Sequence, residues 1–220
     1  MRIITTVLFG MLAAQLPAQD WADLDRYRAA NAALEAADDQ RIVFMGNSIT
    51  ESWAADTAGI FHRRAHLIGR GISGQTTPQM LIRFRPDVLD LRPKAVVILA
   101  GINDIAHNTG PMTLEETAGN IFSMAELATA NDIEVYLCSV LPAHDFPWRP
   151  GMEPALKVVA LNSLLRAYAE RHGHTYVDFF TPMADDRPGL PARYAYDEVH
   201  PTPAGYRLME SILLPHITTD

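Results

Sequence analysis

Three nearly unbroken apolar runs constrain this chain more than anything else in it: Ile42-Val43-Phe44-Met45, Ala95-Val96-Val97-Ile98-Leu99-Ala100 and Val135-Tyr136-Leu137-Cys138-Ser139-Val140. A strand with one face in water alternates apolar and polar side chains, whereas a continuous run needs cover on both faces. The covering helices are legible between the runs. Thr77-Pro78 opens one reaching about Leu91, with threonine as the cap and proline at the first helical position. Thr113-Leu114-Glu115-Glu116 is a capping box opening a second, to about Ala130. Pro154 to His172 and Pro203 to Leu214 read as two more, Ala65 to Ile68 and Thr175 to Phe179 as short strands, and Leu141 to Glu153 as the longest irregular stretch. Near the start, Trp21 to Ala37 reads as an amphipathic helix with Trp21, Leu24, Tyr27 and Leu34 on one side, interrupted by Asn31. Strands alternating with helices predict one α/β domain over residues 19–220 with about five parallel strands. Ligands in such sheets bind beyond the carboxyl ends of the strands.

The first 18 residues stand apart. Met1-Arg2 precedes the largely apolar run Ile3 to Ala14, and small Ala18 offers a cut site. This is the pattern of a secretory signal peptide over residues 1–18, which predicts a secreted or periplasmic protein without stable membrane association once the leader is removed. No cysteine follows the apolar run closely, so a lipidated cysteine anchor is not expected. A formal net charge of -8 argues against nucleic acid and against docking on anionic lipid. The single cysteine, Cys138, lies in a predicted strand and reads as a small buried hydrophobe.

Chemistry concentrates in Gly46-Asn47-Ser48-Ile49-Thr50, Gly101-Ile102-Asn103-Asp104 and Asp197-Glu198-Val199-His200-Pro201. Ser48 follows a strand and a glycine where a helix can begin, which exposes its hydroxyl at the sheet edge and leaves its N–H unpaired. His200, held extended by Pro201, can take the serine proton on Nε2 while Asp197 holds Nδ1. Asn103 can offer a side-chain N–H, and Gly74 a backbone N–H, to a developing oxyanion. Glu198 is expected to point away. These are the parts of acyl transfer through a serine.

The order Ser48, Gly74, Asn103, Asp197-x-x-His200 resembles the SGNH hydrolases, the GDSL-type esterases and lipases. Asn47 and Ile49 stand where that family's name has aspartate and leucine. The resemblance implies a flavodoxin-like three-layer α/β/α fold, with Ser48, Asp197 and His200 as the catalytic residues. Ser48, Gly74 and Asn103 would form the oxyanion hole, and ester hydrolysis would need no cofactor or metal. Rival patterns are weaker: Thr50 occupies the place where a nucleophile elbow needs glycine, and neither a His-Glu-x-x-His run nor a phosphate loop is present. The irregular segment carries His144, Trp148 and Arg149, which suit a sugar ring better than an alkyl chain. The expected substrate is therefore a small-molecule or saccharide ester with a short, acetyl-like acyl group. A thioesterase, a lysophospholipase and a catalytically silent binding module are the alternatives.

Overall fold

The computed structural model describes residues 20–34 and 38–217; the expected signal peptide lies outside them. The elements in order are α1 (Arg28–Ala32), β1 (Ile42–Gly46), α2 (Ser48–Ala55), α3 (Ile60–Arg63), β2 (Leu67–Gly71), α4 (Thr77–Asp87), β3 (Ala95–Leu99) and α5 (Ile102–Ile105). There follow α6 (Leu114–Thr129), β4 (Glu134–Cys138), α7 (Pro154–His172), β5 (Thr175–Val177), α8 (Phe180–Met183) and α9 (Pro203–Ile217). All five strands pair in parallel, in the order β2-β1-β3-β4-β5.

Successive side chains on a strand face opposite ways, which explains the apolar runs. Val43, Met45, Val96, Ile98, Val135 and Leu137 pack with Phe84, Ile121 and Leu161 of the helices on one face. Ile42, Phe44, Ala95, Val97 and Tyr136 pack with Ile49, Trp53 and Met209 on the other. Trp53 anchors that second layer, with the rings of Phe44, Phe61 and Tyr206 within 5.7, 5.8 and 6.0 Å of its own. The result is three layers, helices on both faces of one sheet. Strand order reverses between β1 and β3, and the pairing of Gly46 with Leu99 sets their carboxyl ends side by side. A crevice opens at such a switch point, and it is the favoured ligand site of the fold.

Three local expectations are corrected. The cap of α4 is Thr76, not Thr77: the Thr76 N–H donates to Gln79 Oε1 at 3.1 Å. Thr77 is unavailable because its N–H and hydroxyl both donate to Asp104, at 3.0 and 2.6 Å. The same helix ends at Asp87, followed by a 3-10 turn at Leu89–Leu91, because Pro86 removes a donor from its last turn. Of the helix expected over Trp21 to Ala37, only Arg28–Ala32 forms among the described residues, with no buried side chain. The segment is a polar strap instead. The carbonyls of Trp21 and Ala22 accept from Gln79 and Gln75, and Tyr27 donates its hydroxyl to the Gly71 carbonyl. Asn31, which breaks the apolar stripe, donates to Asp87 and accepts from Arg70, both at 2.8 Å. Side chains of α4 and its approach satisfy main-chain carbonyls of this stretch outside any helical turn.

Candidate active site

The Ser48 position is built by the end of β1. Gly71 on neighbouring β2 lets α2 settle on the sheet, since a Cβ there would lie 2.2 Å from the Glu51 nitrogen. Asn47 caps α2, its side chain accepting from the Ile49 N–H at 3.1 Å. Ser48 is therefore not the cap. It is the first helical residue, with a hydroxyl free for other work and an N–H that has no intrahelical acceptor.

The hydroxyl meets His200: Ser48 Oγ lies 3.0 Å from His200 Nε2. On the far side of the ring, Nδ1 lies 2.7 Å from Asp197 Oδ2. The other oxygen of Asp197 accepts from the main-chain N–H groups of His200 and Val199, at 2.8 and 3.2 Å. Burial pushes the Asp197 carboxyl upward, but these N–H donors and the imidazole outweigh it and hold the group below its ordinary value. A proton kept on Nδ1 by this carboxylate leaves Nε2 to accept from serine. Glu198 adopts a left-handed φ of +67° and lies 3.9 Å from Arg187, so the adjacent carboxylate is turned out of the relay, as expected. The loop is anchored at both ends. Tyr196 N–H donates to the His200 carbonyl at 2.9 Å, and Thr202 Oγ1 accepts from the Gly205 N–H at the start of α9.

Asn103 sits in α5 beyond β3, 5% exposed, and its Nδ2 donates to the Gln75 carbonyl at 2.9 Å. An amide nitrogen carries two N–H groups, so one donor remains. Gly74 precedes Gln75 in the loop after β2. Its φ is +78° and no atom lies within 4 Å of where a Cβ would stand, so backbone conformation demands glycine there rather than crowding. Ser73 beside it is structural, with its N–H and hydroxyl both donating to Glu51 of α2. Ser48, Gly74 and Asn103 thus follow the carboxyl ends of three adjacent strands, and the Asn103–Gln75 bond ties two of them together.

Residues 44–208 match the GDSL-like Lipase/Acylhydrolase family. The chain belongs to that family. Among solved structures, this acylhydrolase is 46% identical to a GDSL-like lipase from Bacteroides thetaiotaomicron, with a TM-score of 0.86 over 89% of this chain and 97% of that one. A Bacteroides fragilis protein is also 46% identical, with a TM-score of 0.87 over 90% and 97% of the two chains. A catalytic mutant of an acetylxylan esterase from Geobacillus stearothermophilus shares the fold at 19% identity, with a TM-score of 0.67 over 84% and 98%. Among curated proteins, none matches. Membership makes the protein a carboxylic ester hydrolase acting on small-molecule esters.

The three residues expected to hold a sugar separate in the acylhydrolase. Trp148 stands beside the relay, its ring 5.9 Å from the His200 ring and stacked on Phe146 at 5.2 Å. His144 instead bonds the Arg187 carbonyl through Nδ1 at 3.0 Å. Arg149 donates to the carbonyls of Ala106 and His107, pinning its loop to the segment after Asn103. Beyond His200, a hollow of about 300 Å³ is lined by Ser52, Tyr196, Pro203 and Tyr206. Tyr196 is 73% exposed there, at a position that no sequence motif marks. Asp104, Gln75 and Arg83 also escape sequence reasoning. Only the Arg83–Asp87 pair carries a signal, as opposite charges at i,i+4 on the apolar side of a helix.

Proposed function

We propose that this acylhydrolase is a serine esterase that removes short, acetyl-like acyl groups from saccharide hydroxyls through an acyl-enzyme on Ser48. The observation that carries the mechanism is the continuous contact from Ser48 Oγ through the His200 ring to Asp197, at 3.0 and 2.7 Å. His200 Nε2 takes the serine proton as Oγ attacks the ester carbonyl carbon. The carbonyl π electrons move onto oxygen, and the N–H groups of Ser48, Gly74 and Asn103 hold that oxyanion. Collapse breaks the bond to the alcohol oxygen, which receives the proton from His200. Water, deprotonated by the same imidazole, then attacks the acyl-enzyme; acid leaves and the proton returns to Ser48. Asp197 stabilises the imidazolium formed in each half.

The alcohol must approach Nε2 to be protonated, so it lies among the residues around His200. Trp148, 45% exposed, offers an aromatic face there, a surface on which the apolar face of a sugar ring can stack. An acetylxylan esterase shares the fold, so a saccharide ester fits the architecture. The leader over residues 1–18 favours action outside the cytoplasm, secreted or periplasmic. No described helix is long and apolar enough to cross a membrane.

A fluorophosphonate probe tests the mechanism: wild type should be labelled at Ser48, and an unlabelled serine in folded protein would indicate a silent binding module. Acetylated xylo-oligosaccharides, lysophospholipids and acyl thioesters, compared at equal concentration, test the substrate. Acetate release from the saccharide should be fastest, and preference for either of the others would replace the sugar reading.

A further inference from the structure

We propose that Arg83 is a positioning residue for acyl transfer: its guanidinium, acting through Gly46 and Gln75, holds the serine turn and the oxyanion donors in one fixed relation. This rests on the oxyanion roles proposed for Gly74 and Asn103. Arg83 is fully buried in α4, a helix that also buries Met80 and Phe84. Burying a guanidinium is costly, and an apolar side chain of similar size often serves a core as well or better. Asp87 Oδ2, 3.0 Å from Nη1, offsets the charge.

The other two bonds leave the helix. Nη2 donates to the Gly46 carbonyl at 2.9 Å, two residues before Ser48. Nε donates to Gln75 Oε1 at 2.6 Å. The Gln75 amide is held from its other end, Nε2 donating to the Ala22 carbonyl at 2.7 Å, so its oxygen stays turned toward Arg83. Gln75 directly follows Gly74, and its main-chain carbonyl accepts from Asn103 Nδ2 at 2.9 Å. One planar cation therefore reaches the end of β1 and the loop after β2 directly and the Asn103 amide through one further bond. A rigid fork can serve three acceptors in fixed directions, whereas a lysine ammonium is a point charge on a flexible stem. Errors of about 1 Å in such placements can cost about a hundredfold in rate.

Gln75→Met, Gln75→Glu and Arg83→Lys, each alone and combined with Asn103→Ala, test this with p-nitrophenyl acetate kinetics and thermal melts. Gln75→Met and Arg83→Lys should each lower kcat by about tenfold or more, with KM within about twofold of wild type. Gln75→Glu keeps an acceptor for Arg83 but loses the donor to the Ala22 carbonyl, so its loss of kcat should be smaller than that of Gln75→Met. In the Asn103→Ala background the Gln75→Met loss should shrink, because one of the donors that Gln75 positions is gone, while Arg83→Lys should keep the part of its loss that runs through Gly46 and the serine turn. A Gln75→Met loss that multiplies undiminished in that background, or kcat unchanged in folded Gln75→Met, overturns the proposal, and both decide even if Arg83→Lys does not fold. An unchanged kcat in Asn103→Ala alone would instead remove the oxyanion reading on which the proposal stands.

Discussion

The two oxygens of Asp197 divide the work: one takes the His200 imidazole, the other two main-chain N–H groups of the same turn. The carboxylate thus sets both the ring and the loop that carries it. Ser48→Ala and His200→Ala should each lower kcat on the order of a millionfold, and Asp197→Asn by on the order of ten-thousandfold, since the imidazole then remains without its orienting partner. Full turnover by purified Ser48→Ala would sink the mechanism. Asn103→Ala removes the proposed oxyanion donor and should lower kcat by about a hundred- to a thousandfold. A change confined to KM would make Asn103 a ground-state contact. The Ser48 and Asn103 motifs were legible because each follows a strand end that an apolar run marks, and the Asp197-x-x-His200 motif because it sits in the turn just before α9. The division of Asp197's oxygens was not, because it depends on how the loop turns at Glu198.

Between elements, Asp104 joins α5 to α4 by accepting from both donors of Thr77, at 3.0 and 2.6 Å. Burial is the larger influence and pushes the Asp104 carboxyl up from 3.8 to about 6, against the pull of the Thr77 bonds. Between those values the folded chain holds the proton more tightly than the unfolded chain, so stability rises as pH falls through about 6 toward 4. Above about 6 the ionised form carries a penalty of up to about 3 kcal/mol. Asp197 and Glu51, whose pKa values are lowered, act in the opposite sense, losing stability as pH falls through their folded values. The difference between proteins is therefore the measure. In urea unfolding, wild type should gain up to about 3 kcal/mol on Asp104→Asn between about pH 7 and about pH 4. A pH-independent difference would refute the assignment. The strap makes a second contrast. Tyr27→Phe removes a half-buried bond to the Gly71 carbonyl and should cost about 1 kcal/mol. Arg26→Met breaks an exposed pair with Glu51 and should cost well under 1 kcal/mol by the same urea unfolding.

Over the whole molecule, the switch point between β1 and β3 gathers the serine, the amide and the imidazole at one end of the sheet, beside Trp148. Each methylene buried in a fitted tunnel would add about 0.8 kcal/mol, so a long-chain esterase strengthens steadily with acyl length. For this protein, kcat/KM on p-nitrophenyl esters should peak at acetate to butyrate and drop by octanoate; a profile still rising at octanoate would favour a lipid ester. What the sequence determined by itself was local. Apolar runs demanded strands covered on both faces, Thr113 and Glu116 formed the expected capping box, and the Ser48 and Asn103 motifs fell at strand ends. Such signals act within a few residues and survive any arrangement of the rest. Tertiary structure alone decided the others. It left Trp148 beside His200 while turning His144 and Arg149 to main-chain carbonyls, and it made a polar strap of the segment read as an amphipathic helix. It also led Arg83 to bonds with Gly46 and Gln75. These contacts join residues far apart in the chain, and which of several available partners a polar side chain meets is settled only when packing brings their elements together and excludes water.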